Sequence, residues 1–478
     1  MIQESVAREV LAKATSTGGD FAEIFLEDRV NHSLRLRSGK IDAVSTGRLH
    51  GAGVRVFDGT RAIYVHTNDT SREGLLRTAE TAAAAIRSDR APAVIADLAL
   101  RSVARPDTIR LWPGDVKAAR KAEKLREADA AARQVSPEIV QVMAAYNDSV
   151  QNVWIYNTEG VAVTDTRVYS RLGVQAIASN GTENQTGFEG PGASMGFELF
   201  DERVDPARSA REAAQLAHTM LHAPLCPAGY MPVVIDNGFG GVLFHEACGH
   251  SLEATRVAYG ISEFSGKLGQ QIAAPCVTAL DDGTMENEWG SLHVDDEGTP
   301  TTRLVLIENG ILKNYMIDKL GGRRMNMAPT GSGRRECYAW APTSRMRNTY
   351  IAPGQDDEAE MIATMGDGLY ARRMGGGSVN PTTGEFNFAV LEGYLVKDGE
   401  RVSSGTVLAE CYTDDSQGLL RERLDRLQRT IDLLSKSQNS DSSDLSVLTN
   451  QTRQALYNLL DKLDSAEYTG IADAEAME

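Results

Sequence analysis

The sequence predicts an α+β protein with three parts. An N-terminal domain of antiparallel strands and helices spans residues 1–225, a second β-rich domain with a histidine-bearing helix spans 226–408, and a helical tail spans 409–478. Three observations predict it. Short segments alternate apolar and polar residues between Gly- and Asn-containing turns, which is the period of half-buried strands. Alanine-rich stretches of helical period interrupt them at 75–86, 115–133 and 205–220. Past Thr406, Leu420, Leu424, Leu427, Ile431 and Leu434 alternate four- and three-residue steps, the seam of a coiled coil or helical hairpin.

In chain order, Val6–Thr17 has helical periodicity and Phe21–Leu26 reads as a strand. Ser33–Arg37 and Ile41–Val44 flank Ser38-Gly39-Lys40 as a hairpin, and Gly51–Phe57 and Ala62–Val65 continue an antiparallel meander. Thr70 and Ser71, with Glu73 behind them, make a helix start for Leu75 through Ile86. A second run of strands covers Ile139–Ala145, Val153–Tyr156, Val161–Asp165 and Ser170–Ile177. Asn180–Ser194, rich in Gly, Asn and Thr, reads as an exposed mobile loop. The helix from Asp205 carries His218 and His222 one turn apart. No carboxylate lies between them and Pro224 closes the helix, so they read as a surface pair.

The second domain opens with the strand Pro232–Asp236, the turn Asn237-Gly238-Phe239-Gly240-Gly241 and then the helix. Ser265-Gly266-Lys267-Leu268-Gly269 lacks the Gly-Lys-Ser/Thr ending of a phosphate loop, which excludes nucleotide binding. The run Asp295-Asp296-Glu297 reads as a solvated turn in preference to a calcium site, and Asn309-Gly310 as a tight hairpin turn. Arg323-Arg324 and Arg334-Arg335 suit either a substrate carboxylate or pairing with structural carboxylates. Gly384–Val390 is an alternating strand whose edge offers an extended peptide a place to add.

Composition narrows the partners. With 49 basic against 66 acidic residues the formal charge is −17, which argues against nucleic acid or an anionic membrane as the main partner. The first residues lack the apolar run of a signal peptide, and no segment is long and apolar enough to span a bilayer, so the expected location is the cytoplasm. The five cysteines are scattered and odd in number, unlike a disulfide framework, and most are expected to be small buried hydrophobes.

The chemistry concentrates in Val242-Leu243-Phe244-His245-Glu246-Ala247-Cys248-Gly249-His250. Neutral imidazoles hold a hydrolytic cation and a neighbouring carboxylate takes a proton from the water on it. The familiar zinc helix carries His-Glu-x-x-His, with its histidines four apart on one face. Here they are five apart, and on a straight helix five steps of roughly 100° aim them about 140° apart. A site therefore needs either a loosely wound π-type turn or a break near Gly249. The plain alternative is an amphipathic helix with two incidental histidines.

Together with Gly331-Ser332-Gly333-Arg334-Arg335-Glu336, Asn348-Thr349-Tyr350, Pro353-Gly354, Gly375-Gly376-Gly377, Asn380-Pro381 and Glu392-Gly393-Tyr394, this segment resembles the TldD/PmbA family on its TldD side, over roughly Phe21 to Thr406. The resemblance implies a zinc-dependent His-Glu-x-x-x-His metallopeptidase in which His245 and His250 are ligands and Glu246 is the catalytic carboxylate. It further implies a cytoplasmic two-subunit assembly, with a PmbA/TldE-like partner or a second copy, that admits unfolded or flexible peptides. The family takes its third ligand from a C-terminal cysteine in a Gly/Cys/Gly context, which this chain lacks. Cys411, in Ala409-Glu410-Cys411-Tyr412, stands as third ligand on position alone. The rival reading is a non-catalytic peptide-binding or scaffold subunit with an incomplete metal site.

Overall fold

The computed structural model describes residues 2–86, 88–103, 109–224, 226, 229–380, 382–402 and 407–408. Four long strands dominate the first half: Phe21–Arg37, Lys40–Asp58, Ile139–Asn157 and Ala162–Ser179. The first and third pair antiparallel from Glu23↔Asn157 to Arg37↔Met143, so two hairpins join into one sheet. Each of these strands corresponds to two segments that the alternation pattern separates. The pattern lapses because the stretch from Asp28 to Ser33, with its partners Asn147 to Asn152, is mostly polar in mid-strand.

The reason for the lapse is that the sheet serves two separate cores. At one end, helices Glu4–Thr15 and Arg72–Ala85 cover Ala22, Ile24, Leu26, Val54, Val56 and Tyr156. At the other, helices Ala118–Arg133 and Pro206–His222 cover Leu34, Leu36, Tyr146, Leu172 and Val174. The alanines that face inward on these helices let them sit close to the strands. Caps fix two of the helix starts. Ser71 accepts a hydrogen bond from the Gly74 N–H, and Asp205 accepts from those of Ala207 and Arg208.

The expected mobile loop at 180–194 is corrected. Asn184–Glu189 is a strand antiparallel to Ala162–Ser179, from Val174↔Glu189 to Ser179↔Asn184. Its Gly187 lies against the backbone of Ala213 on the Pro206–His222 helix, a close approach that leaves no room for a side chain.

In the second half, Ala279–Asp282 pairs with Arg303–Glu308 and Asn348–Ile351. Asn309 and Gly310 both take positive φ, 50° and 81°, in the turn that the Asn-Gly pair predicts. A second sheet pairs Gly368–Val379 antiparallel with Phe386–Lys397 and parallel with Val233–Ile235, which leads to the histidine turn.

Buried charge ties the halves together. Asp295, Asp296 and Glu297 are 0%, 2% and 0% exposed, which overturns the solvated turn. Arg55 Nη2 reaches Glu23 at 2.9 Å and Glu297 at 2.7 Å. Arg167 Nη1 reaches Asp296 at 2.5 Å, and Arg335 Nη2 reaches Glu23 at 2.7 Å. These arginines and carboxylates come from both halves and pair with one another, while Asp295 accepts hydrogen bonds from the N–H groups of Glu297, Thr299 and Gly333. No helix among the described residues is long and apolar enough to cross a membrane.

Candidate metal centre

The turn after Val233–Ile235 holds Phe239 at φ 75° and packs Gly240 against the carbonyl of Asp236. One turn of α-helix, Gly241–Phe244, then widens into a π turn over His245–Gly249 and tightens to a 3₁₀ turn over His250–Leu252. The N–H of His250 bonds to the carbonyl of His245, five residues back. A π turn closes on that step, so imidazoles that a straight helix would splay come to one face. Their ring centroids are 4.9 Å apart and their planes 83° apart. Of the two conformations that the spacing allows, the chain adopts the loose turn. Gly249 lies within it because Met346 leaves no room for more: an added Cβ would come within 3.2 Å of its Cε and nearer still to its Sδ.

One donor atom each of His245, Glu246 and His250 lies within 4.8 Å of the others. His250 Nε2 is 3.8 Å from Glu246 Oε2, while its Nδ1 is 3.2 Å from Glu253 Oε1. The other Glu253 oxygen accepts a 2.7 Å hydrogen bond from Arg345 Nη1, and Glu253 is 2% exposed. A buried carboxylate behind an imidazole fixes the ring and its tautomer, leaving the nitrogen that faces Glu246 to serve as a ligand. Glu253, through this hydrogen bond, raises the His250 pKa, while burial and then the neighbouring His250 lower that of His245. Lowering favours the neutral ring, the form that binds metal. Burial pushes the Cys248 thiol up to about 11, so at neutral pH it packs as an uncharged side chain.

The donor set therefore fits a cation that prefers nitrogen and oxygen ligands. Sequence reading missed the support: Glu253 follows His250 by three residues, a local signal, but Arg345 is distant. Cys411 and the leucines from Leu420 onward lie outside the described residues. Of the basic stretch, Arg335 is spent on Glu23 and Asp296, and Arg323 on Asp20, so the structural reading holds for both. Arg334 is exposed. Cys276 is exposed and Cys248 and Cys337 only partly covered, so the expectation of buried cysteines fails for these three. A cavity of about 530 Å³ over the polar middle of the long sheet, lined by His32, Asp148 and Trp289 among others, contains none of the metal-turn residues.

Two imidazoles and a carboxylate gathered on one helical turn are the equipment of a metal-dependent hydrolase, the class that includes the metallopeptidases. Comparison with known proteins makes this specific. Three family models match in order: PmbA/TldA metallopeptidase domain 1 over residues 22–86, the central domain over 112–221 and the C-terminal domain over 228–410. A metalloprotease TldD homolog of Haemophilus influenzae is 35% identical over 387 residues, 80% of each chain. A metalloprotease of Methanothermobacter thermautotrophicus is 32% identical over 389 residues, 80% of this chain and 82% of its own. A protein of Saccharolobus solfataricus named a zinc metalloprotease TldD homolog is 28% identical over 58% of this chain and 62% of its own. Among solved structures, a putative modulator of DNA gyrase from Thermotoga maritima superposes with TM-score 0.70 at 22% identity, covering 85% of this chain and 90% of that one. TldE from Thermococcus kodakarensis superposes with TM-score 0.68 at 18% identity, covering 84% and 90%. Both share the fold. The chain belongs to the PmbA/TldD metallopeptidase family, as the three matched domains and the relatives above 30% identity show.

Proposed function

We propose that the protein is a zinc-dependent peptidase of the His-Glu-x-x-x-His type. In this reading His245 and His250 hold the metal and Glu246 is the catalytic carboxylate. The observation that carries it is the π turn, which puts two imidazoles and a carboxylate on one face. Zinc held there by His245 and His250 would supply Lewis acidity for a scissile carbonyl and an attacking water. Glu246 accepts the proton of the attacking water and passes it to the leaving amine. Glu253 holds His250 in place, and Arg345 in turn orients Glu253. Cys411 is proposed as third ligand from its position in the sequence.

The nitrogen-rich donor set and the zinc in the Saccharolobus relative's name favour zinc over harder cations. The substrate proposed is an unfolded or flexible peptide, taken inside a two-subunit assembly. The shared fold with TldE makes a TldE-like chain a natural partner, with a second copy of this chain as the other arrangement.

The test is direct. Purified protein loaded with zinc should cleave an unstructured peptide, and Glu246→Gln should lose about 10²–10⁴-fold in rate while keeping the metal. Equal cleavage by Glu246→Gln rejects the role of Glu246. Assembled protein whose zinc uptake is unchanged by His245→Ala and His250→Ala supports instead the non-catalytic subunit.

A further inference from the structure

A second histidine group lies on the surface of the first half and shares no residue with the metal turn. His218 and His222 sit one turn apart at the end of the Pro206–His222 helix, as the sequence indicates. What the sequence does not show is Glu138, at the entry to the strand Ile139–Asn157, whose Oε2 lies 2.9 Å from His218 Nδ1 and 2.7 Å from His222 Nε2. The two rings have centroids 4.9 Å apart, the same separation as His245 and His250. Among the described residues these are the two groups whose His, Cys or carboxylate donors converge within 4.8 Å.

Three features set this group apart from a casual surface ion pair. First, the supports are fixed: the Glu138 N–H donates to Ser136 Oγ, its carbonyl accepts from the Ser179 N–H, and the helix is anchored by the buried Ala213, Ala214, Ala217 and Leu221. Second, His218 Nδ1 is shielded from solvent and, although within 2.9 Å of the carboxylate, is not aligned for a hydrogen bond. Its lone-pair direction is thus not committed to Glu138. Third, His222 sits in the last helical turn, where the helix dipole favours positive charge.

We infer that Glu138, His218 and His222 form a second site for a divalent transition cation, with Zn²⁺ the expected occupant. Donors about 2.0–2.2 Å from zinc lie roughly 3.3 Å from one another in a tetrahedron. The observed separations of 2.7 and 2.9 Å are slightly tighter, so side-chain torsions alone open the space. His222 is half-exposed, leaving the fourth position to water. The cation would pin the end of the helix to the Ser136–Glu138 loop, at the point where the chain leaves for the second half. The inference stands independently of the peptidase reading.

The experiment uses the full chain carrying His245→Ala and His250→Ala, stripped with a chelator and titrated with zinc chloride in equilibrium dialysis. Expected are one bound Zn²⁺ per chain and a rise in melting temperature on adding zinc. Adding His218→Gln and His222→Gln should weaken that binding at least 100-fold and abolish the zinc-dependent rise, with metal-free melting unchanged. Glu138→Gln in the same background, which leaves both rings in place, should weaken binding about tenfold or more. Zinc bound with the same stoichiometry and affinity in all these proteins would place the metal elsewhere, on the cysteines for example, and overturn the inference. So would failure of the first protein to bind zinc at all.

Discussion

Gly249→Ala tests the widened turn on which the metal centre depends, because the sign of its effect separates a π turn packed on Met346 from an ordinary helix. The backbone raises no objection: Gly249 has φ −55° and ψ −56°, which alanine adopts freely. On an exposed straight helix the change would therefore stabilise by about 0.4–1 kcal/mol. Here the new methyl meets Met346, 5% exposed and packed in one cluster with Phe244, Leu252 and Leu306. Overpacking of that kind costs about 1–3 kcal/mol. Met346→Ala alone empties the space and costs about 2–5 kcal/mol. In the double variant the methyl occupies part of the vacated volume, so the loss should fall short of the sum of the singles by about 1 kcal/mol or more. Urea unfolding of the four metal-free proteins measures the cycle. Zinc affinity should also fall in Gly249→Ala and recover in part in the double, since the same methyl pushes His245 and His250 apart. A Gly249→Ala protein as stable as its parent, or strictly additive singles, would refute the packing argument.

Other perturbations reach the same architecture from different sides. Glu253→Gln keeps a hydrogen-bond acceptor for His250 Nδ1 but removes the charge between His250 and Arg345, and should weaken zinc binding by roughly 10–100-fold with little change in melting; unchanged affinity would deny Glu253 its positioning role. Arg55→Met takes away the cation that faces Glu297 and leaves Glu23 with Arg335 alone, and should cost about 3–5 kcal/mol in urea unfolding, a loss below about 1 kcal/mol counting against the buried network. Burial pushes the Glu297 carboxyl from its ordinary 4.5 up to about 8, so the folded chain holds this proton more tightly than the unfolded one. That stability is complete below the ordinary carboxylate range and drains away as pH rises through about 8. Glu297→Gln cannot lose the proton, so its stability should fall less than the parent's across that window; identical slopes would exclude Glu297 as the titrating group.

What was legible in the sequence is what local geometry decides. The five-residue spacing of His245 and His250 demands a turn wider than an α-helix, and the chain supplies it within that segment. Asn309-Gly310 and Ser71 likewise act through neighbours two to four residues away. The long strands were only half legible, because a polar stretch such as Asp28 to Ser33 is held extended by its partner across the sheet and not by a core of its own.

Charge shows why the remainder was hidden. Asp295-Asp296-Glu297 read as a solvated turn because burying three carboxylates is prohibitive without counter-ions, and nothing nearby in sequence provides them. The arginine that neutralises Glu297 is 242 positions away, and the one on Asp296 is 129 positions away. The same holds for Glu138, 84 positions from the His222 it joins. A charged residue's surroundings are set by whatever the fold brings against it, and a rule that looks only along the chain must assign it to water. Paired histidines with no carboxylate in view are therefore where sequence reading most readily overlooks a metal site, and the zinc titration of the Glu138 group tests whether it did so here.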